Sequence, residues 1–278
     1  MICYYHVALA TNKVKVITSF SILSDIVQNI AGDKVDVISL VGANQDVHEY
    51  ELKPSDISKI NNSQIFFING MGLEAGFINQ ALLNYKGIKV NLTESLAIQL
   101  SPNKLDPHVW QDVLLVRDYY LPNITQALIQ VLPQFKNYFQ KNQLIYTNKL
   151  NNLDQWALKQ IEHVPLKSRN AVTTHDAFSY LAKHYSLNFV TVQGVSTDSE
   201  ATPLDIAKLE AIIRHSKIKY VFLENMTNNQ LIKQIAKDTN VIVGPKLYSD
   251  ALSNKDQEAN TYISLFQYNI NTLVNTWK

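Results

Sequence analysis

Apolar runs of strand length alternate along the chain with longer stretches whose apolar positions recur every three or four residues. The first run, residues 13–18, is followed by a helical pattern over 21–30, opened by Ser21 and stopped by Gly32. Residues 34–41 read as a second strand, 54–61 as a helix with a proline-serine start, and 64–69 as a third strand closed by Gly70-Met71-Gly72. A helix over 73–83 and a short strand over 88–91 continue the alternation. The second half repeats it, with strands at 170–174, 188–193, 219–224 and 240–244. Helices are predicted over 176–184, over 203–215 with Thr202 as cap, over 228–238, and from 256 to 276. This pattern predicts an α/β fold with parallel sheets and helices on both faces, built as two (βα)4-type lobes.

Between the halves, helical sequence resumes at Asp112, with a kink expected at Pro122. Pro133 then suits a first helical turn, and Phe135, Tyr138, Phe139, Ile145, Leu150, Leu153, Trp156 and Ile161 recur at near-helical spacing until Pro165. A helix of about 30 residues spans roughly 45 Å, enough to run along both lobes; two shorter helices with an unmarked turn are the alternative. The predicted organisation is a first α/β lobe over 13–132, a linking helix over 133–164 and a second α/β lobe over 165–278. Residues 1–12 stand apart. Ala8-Leu9-Ala10 has the form of a signal-peptidase site, yet no basic stretch precedes it and Tyr4-Tyr5-His6 breaks the apolar core. The segment reads as the remnant of an export signal whose start is missing, or as a disordered N-terminus. Too little apolar sequence precedes Cys3 for a lipid anchor to be expected there.

Charge and composition exclude more than they suggest. A formal net charge of +1 with no Lys/Arg cluster argues against a nucleic-acid surface. No apolar run approaches the roughly 20 residues of a spanning helix. Cys3 is the single cysteine, so there is no internal disulfide and no thiolate cluster; any metal must be held by histidine and carboxylate.

The seven histidines then become informative. His6 lies in the N-terminal segment, and His163, His184 and His215 fall near helix C-termini, where the dipole favours an imidazolium and the role is structural. His48 and His175 instead follow predicted strands directly, and His108 sits on the loop after one. Asp250 also follows a strand. Ligands of open α/β sheets bind outside the carboxyl ends of the strands, so two lobes facing each other with those ends would bring all four side chains to one interlobe cleft. Singly, each has a bland reading: a surface histidine, a residue beside the capping Asp176, a turn aspartate. Together they form a set suited to Zn²⁺, and to Mn²⁺ or Fe²⁺ if the carboxylate binds through both oxygens.

The chain resembles the solute-binding proteins of zinc/manganese ABC transporters (cluster A-I, zinc-uptake and TroA-like proteins). The resemblance runs from about Val14 to near the end. It is carried by Ser19-Phe20, Ala31-Gly32-Asp33, Asp46-Val47-His48-Glu49-Tyr50-Glu51 with Pro54-Ser55-Asp56, Asn69-Gly70 with Leu73-Glu74, and Asp106-Pro107-His108-Val109-Trp110. Further on it rests on Thr174-His175-Asp176-Ala177-Phe178 with Tyr180, Gln193-Gly194-Val195-Ser196, and Tyr248-Ser249-Asp250-Ala251-Leu252. It implies metal ligands at His48, His108, His175 and Asp250 and a rigid lobe-linking helix over about 134–162. It also implies an exported, periplasmic, monomeric protein that binds Zn²⁺ or Mn²⁺ and delivers it to a membrane permease with its cytoplasmic ATPase. Val47 replaces the proline common before the first histidine. The 93–106 loop lacks the histidine-rich insertion of many zinc-dedicated members, whereas histidine rather than glutamate at 175 leans towards zinc.

Two other classes compete. A zinc hydrolase could use three histidines to activate water, but it needs an open coordination position, which Asp250 would close, and the chain has no H-E-x-x-H signature. A metal-binding surface adhesin is the other. Neither is expected; the reading is a transport receptor, not an enzyme.

Overall fold

The computed structural model describes residues 13–96, 105–198 and 200–278. The segment read as a leader remnant, and most of the 93–106 loop, lie outside them.

The first lobe contains β1 (Val14–Phe20), α1 (Ser21–Ala31), β2 (Val35–Val41), α2 (Pro54–Asn61), β3 (Ile65–Ile68), α3 (Ile78–Leu82) and β4 (Ile88–Asn91). Its four strands are all parallel in the order β2-β1-β3-β4. Every residue of β3 is buried, as a strand covered on both faces requires. Helix α3 is shorter than the predicted 73–83. The carboxylate of Glu74 accepts the backbone N–H groups of Asn69 (2.7 Å) and Gly70 (3.0 Å), holding the chain in turns that delay the helix. Gly70 has φ +90°, a conformation open to glycine.

Next come α4 (Val113–Leu115), a π-helical stretch (Val116–Tyr120) and α5 (Leu121–Val131). Pro122 causes no simple kink. It occupies the first turn of α5, and the π-helical stretch before it absorbs the missing N–H donor. After a 3-10 turn over Pro133–Phe135, α6 (Lys136–Glu162) runs unbroken for 27 residues, about 40 Å, between the lobes. It buries Phe139, Tyr146, Leu150, Leu153, Ala157 and Ile161 along one face.

The second lobe holds β5 (Asn170–Thr173), α7 (Ser179–Tyr185), β6 (Asn188–Thr191), α8 (Pro203–His215), β7 (Tyr220–Glu224), α9 (Gln230–Thr239), β8 (Ile242–Leu247) and α10 (Tyr262–Trp277). The strand order β6-β5-β7-β8 repeats that of the first sheet, again all parallel. Strand β8 continues past the expected end at 244, through Pro245. It lies at the sheet edge, where a proline costs no ladder bond, and its pairing with β7 shifts register between Val221 and Leu223. Helix α10 begins at Tyr262, not 256, because Thr261 and Ser264 form its capping box.

The buried side chains do not divide as the sheets do. One continuous cluster includes Ile17 and Phe66 of the first sheet, Leu150 and Ile161 of α6, Phe178, Tyr248, and Leu265 and Leu273 of α10. A second, smaller cluster (Val172, Leu209, Ile213, Val221, Ile232, Ile235) lies under α8 and α9 alone.

Candidate metal centre

Each of the four sequence-predicted residues lies on a loop beyond the carboxyl end of a strand. The His48 loop leaves β2 and is folded by carboxylates. Asp46 Oδ1 accepts the His48 backbone N–H (2.8 Å), and Asp56, opening α2, accepts the Tyr50 hydroxyl (2.7 Å) and the Lys53 N–H (3.1 Å). Asp46 Oδ2 also accepts the hydroxyl of Thr197 from the other lobe (2.7 Å).

His108 is fully buried. Asp106 Oδ1 serves it twice, accepting its backbone N–H (3.0 Å) and standing 2.8 Å from ring Nδ1. The 3-10 turn that follows turns Trp110 inward against Phe20 and the His108 ring. Trp110 Nε1 (2.9 Å) and Gln111 Nε2 (2.7 Å) both donate to the Ser249 carbonyl, which ties the His108 loop to the Asp250 loop. Leu252 binds that loop to the first lobe as well, through Ser21 Oγ (3.0 Å) and the Asn44 N–H (2.9 Å).

His175 follows β5, and α7 starts only at Ser179, so the histidine sits on the strand-end loop and not in a first helical turn. Glu224, the last residue of β7, faces it from the neighbouring strand. One oxygen, Oε1, accepts the N–H groups of Thr174 (2.8 Å) and His175 (3.0 Å); the other, Oε2, lies 2.6 Å from His175 Nδ1. Pattern reading missed Glu224. The available signal was an acidic residue ending a buried central strand next to the point where the strand order reverses.

His108, its Nδ1 hydrogen-bonded to Asp106, and His175, its Nδ1 within ion-pair distance of Glu224, present Nε2 inward, as does His48. Asp250 Oδ2 lies 3.0 Å from His175 Nε2 and 3.6 Å from His48 Nε2, and Oδ1 lies 3.5 Å from His108 Nε2. One donor atom from each residue lies within 4.8 Å of every other. These separations bracket the edge of about 3.3 Å of a tetrahedron with bonds of about 2.0 Å, the zinc geometry. The three Nε2 atoms and both Asp250 oxygens are buried and lack hydrogen-bond partners, an arrangement a cation would complete. The electrostatics have the same sign. Burial alone would raise the Asp250 pKa, but the facing imidazoles of His175 and His108 hold it well below the usual carboxylate range. Burial alone would lower that of His175, but Glu224 and Asp250 on its two nitrogens raise it well above the imidazole range. A cavity of about 600 Å³ opens beside the cluster, with Asp46, Glu49 and Glu200 on its walls, a lining that attracts cations.

His6 lies outside the described residues, and the other three histidines lie away from the cluster. His163 and His215 are exposed at helix ends. His184 is structural, though through more than the helix dipole: its Nδ1 meets Asp112 at 2.8 Å and its Nε2 meets Asp154 at 2.9 Å.

The family of periplasmic zinc-uptake complex components (component A, ZnuA) matches residues 16–276. The chain belongs to this family. Among relatives of this ZnuA family member, the manganese ABC transporter substrate-binding lipoprotein PsaA of Streptococcus pneumoniae is 32% identical over 94% of the chain and 88% of its own length. The metal ABC transporter substrate-binding lipoprotein FimA of Streptococcus parasanguinis is 31% identical over 95% of the chain and 89% of its length. The periplasmic zinc-binding protein TroA of Treponema pallidum superposes with a TM-score of 0.90 at 29% identity, covering 95% of the chain and 99% of TroA. A manganese-bound periplasmic metal-binding protein from Candidatus Liberibacter asiaticus gives a TM-score of 0.86 at 30% identity, covering 96% of the chain and 100% of its own. Two parallel four-stranded sheets with a long helix between them are thus the fold of this family, as the strand–helix alternation implied.

Proposed function

We propose that the chain is the solute-binding component of an ABC metal importer. It captures a divalent transition metal outside the cytoplasm and hands it to a membrane permease driven by a cytoplasmic ATPase. The ligands are His48, His108, His175 and Asp250, and the chain acts as a monomer in the periplasm. The observation that carries this reading is the convergence of four inward-facing donors from loops of both lobes. Names of relatives divide between manganese and zinc. The donor set favours zinc, because imidazole nitrogen is borderline-soft and Zn²⁺ lies above Mn²⁺ in divalent affinity at a given site. Four protein donors also close the coordination that a hydrolytic zinc site leaves open, so transport and not hydrolysis is the activity.

The test is competitive titration of metal-free protein with Zn²⁺ and Mn²⁺, with elemental analysis of the protein as isolated. One equivalent of Zn²⁺ should bind and displace Mn²⁺. Failure of both metals to bind stoichiometrically would overturn the proposal.

A further inference from the structure

The metal centre lies beyond the carboxyl ends of the strands. At the opposite end of the second sheet, where β5 and β7 begin, is a separate cavity of about 270 Å³. We infer that this cavity binds a phosphate-bearing anion, independently of the metal centre and its ligands.

Four lysines stand on its walls, Lys167, Lys217, Lys219 and Lys278, and no acidic side chain does. The grouping is invisible in the sequence because three distant stretches supply it: the 3-10 turn Leu166–Ser168, the turn between α8 and β7, and the end of α10. None of the ion pairs made by lysine or arginine among the described residues includes any of the four. In a chain whose 25 basic and 24 acidic residues nearly balance, this is a local field of one sign. Like charges around one small cavity repel each other, and a bound anion relieves that repulsion.

The backbone that carries these lysines is held in place. Asn170, the first residue of β5, is bonded on three sides. Its carbonyl accepts the Trp277 indole N–H (2.8 Å), its side-chain amide donates to the Lys167 carbonyl (2.7 Å), and its Oδ1 accepts the amide of Asn188 (2.9 Å). The Lys219 carbonyl accepts the Ile242 N–H (2.9 Å). Lys217 has φ +52° just past the C-cap of α8, a position that glycine fills at lower cost, and the Ile218 N–H pins the turn on the Ile213 carbonyl (3.1 Å). Ser168 and Tyr220 add hydroxyls to the walls that make no hydrogen bond among the described residues. Ammonium groups and hydroxyl donors, with no carboxylate beside them, suit the oxygens of a phosphate group. Inorganic phosphate, a phosphate monoester and an anionic phospholipid headgroup share this chemistry.

The test follows the Trp277 indole N–H in ¹⁵N spectra of the full, metal-free chain at low salt. Inorganic phosphate and glycerol 3-phosphate are titrated in turn, with NaCl at matched ionic strength as the comparison. A saturable shift that NaCl does not reproduce is expected. Sedimentation with phosphatidylglycerol vesicles, against phosphatidylcholine vesicles, tests the headgroup. Saturation in solution without vesicle binding identifies a free phosphate ligand; sedimentation that requires phosphatidylglycerol identifies the lipid. Exposed ion contacts each change affinity by about two- to fivefold, so Lys167→Gln, Lys217→Gln and Lys219→Gln together should weaken binding by about tenfold or more. Lys86→Gln, Lys89→Gln and Lys141→Gln, made together at exposed positions outside the second lobe, remove the same charge and should leave binding unchanged. Equal losses in the two triple variants, or no saturable response to any of the three probes, would overturn the site. Zn²⁺ affinity should be the same in both variants, so failure of the metal-ligand assignment and failure of this inference are read separately.

Discussion

His184 clasps three elements that separate loops would otherwise leave independent. It projects from α7 in the second lobe and meets Asp112, at the start of α4, and Asp154, on the linking helix α6. Asp112 also caps α4 through Leu114 N, and Asp154 accepts the Tyr185 hydroxyl. Replacing His184 by Ala removes two charge-assisted contacts, each worth about 1.5–3 kcal/mol when dry. The three side chains are 15%, 14% and 6% exposed, so water recovers part of that loss. Arg117, whose guanidinium feels both carboxylates, recovers more. A net loss of about 3 kcal/mol is expected, or a melting point lower by about 6–10 °C for a chain of this size. Burial alone would lower the His184 pKa, but Asp112 and then Asp154 raise it. A folded-state value above the unfolded value of about 6.5 means that the charged contribution is complete below about pH 6.5. It is lost as pH rises through the folded value. Thermal melts of wild type and His184→Ala in the presence of EDTA, from pH 6 to pH 9, should therefore show a gap widest at pH 6 and narrowing with alkalinity. A gap that is constant across this range, or below about 1 kcal/mol at pH 6, would refute the charged clasp.

Alanine at His48, His108 or Asp250 should cut Zn²⁺ affinity by orders of magnitude while His163→Ala and His215→Ala leave it unchanged; isothermal titration tells them apart. Zn²⁺ at a thousandfold excess over its dissociation constant should stabilise the wild-type protein by about 4 kcal/mol, a melting shift that EDTA removes and His108→Ala lacks. Leu150→Ala on α6, whose side chain is fully buried, should cost about 2–5 kcal/mol in denaturant unfolding without altering metal stoichiometry. Because α6 runs unbroken between the lobes, metal loading should leave the solution radius of gyration nearly constant, and a large compaction by small-angle scattering would contradict this.

What could be read from sequence was whatever a local signal carries. The strand–helix alternation, the long helical run over about 133–164 and the Thr202 cap all announce themselves within a few residues; the structure makes the run one helix over Lys136–Glu162. The four histidine and aspartate positions were legible for a related reason: each follows a strand, and strand ends share a side of the sheet. Legibility stopped where a partner lies far along the chain. Glu224 meets His175 across 49 positions, and Trp110 reaches the Ser249 carbonyl across 139. Nothing near either residue marks the pairing. The misjudged helix starts at 73 and 256 have a different, local origin: the Glu74 carboxylate accepts the N–H groups of Asn69 and Gly70, and the Thr261–Ser264 box caps α10 at Tyr262, two contacts that apolar spacing does not report.

The distribution of buried side chains also dictates where this protein can be cut and rejoined with a relative. A chimera that exchanged everything after the linking helix would sever one continuous core, setting Tyr248, Leu265 and Leu273 of one parent against Ile17, Leu150 and Ile161 of another. An exchange confined to α8 and α9 would disturb only the small cluster around Leu209, Ile213, Ile232 and Ile235. The graftable unit of this two-lobed molecule is thus the outer helical layer of its second lobe, not the lobe itself.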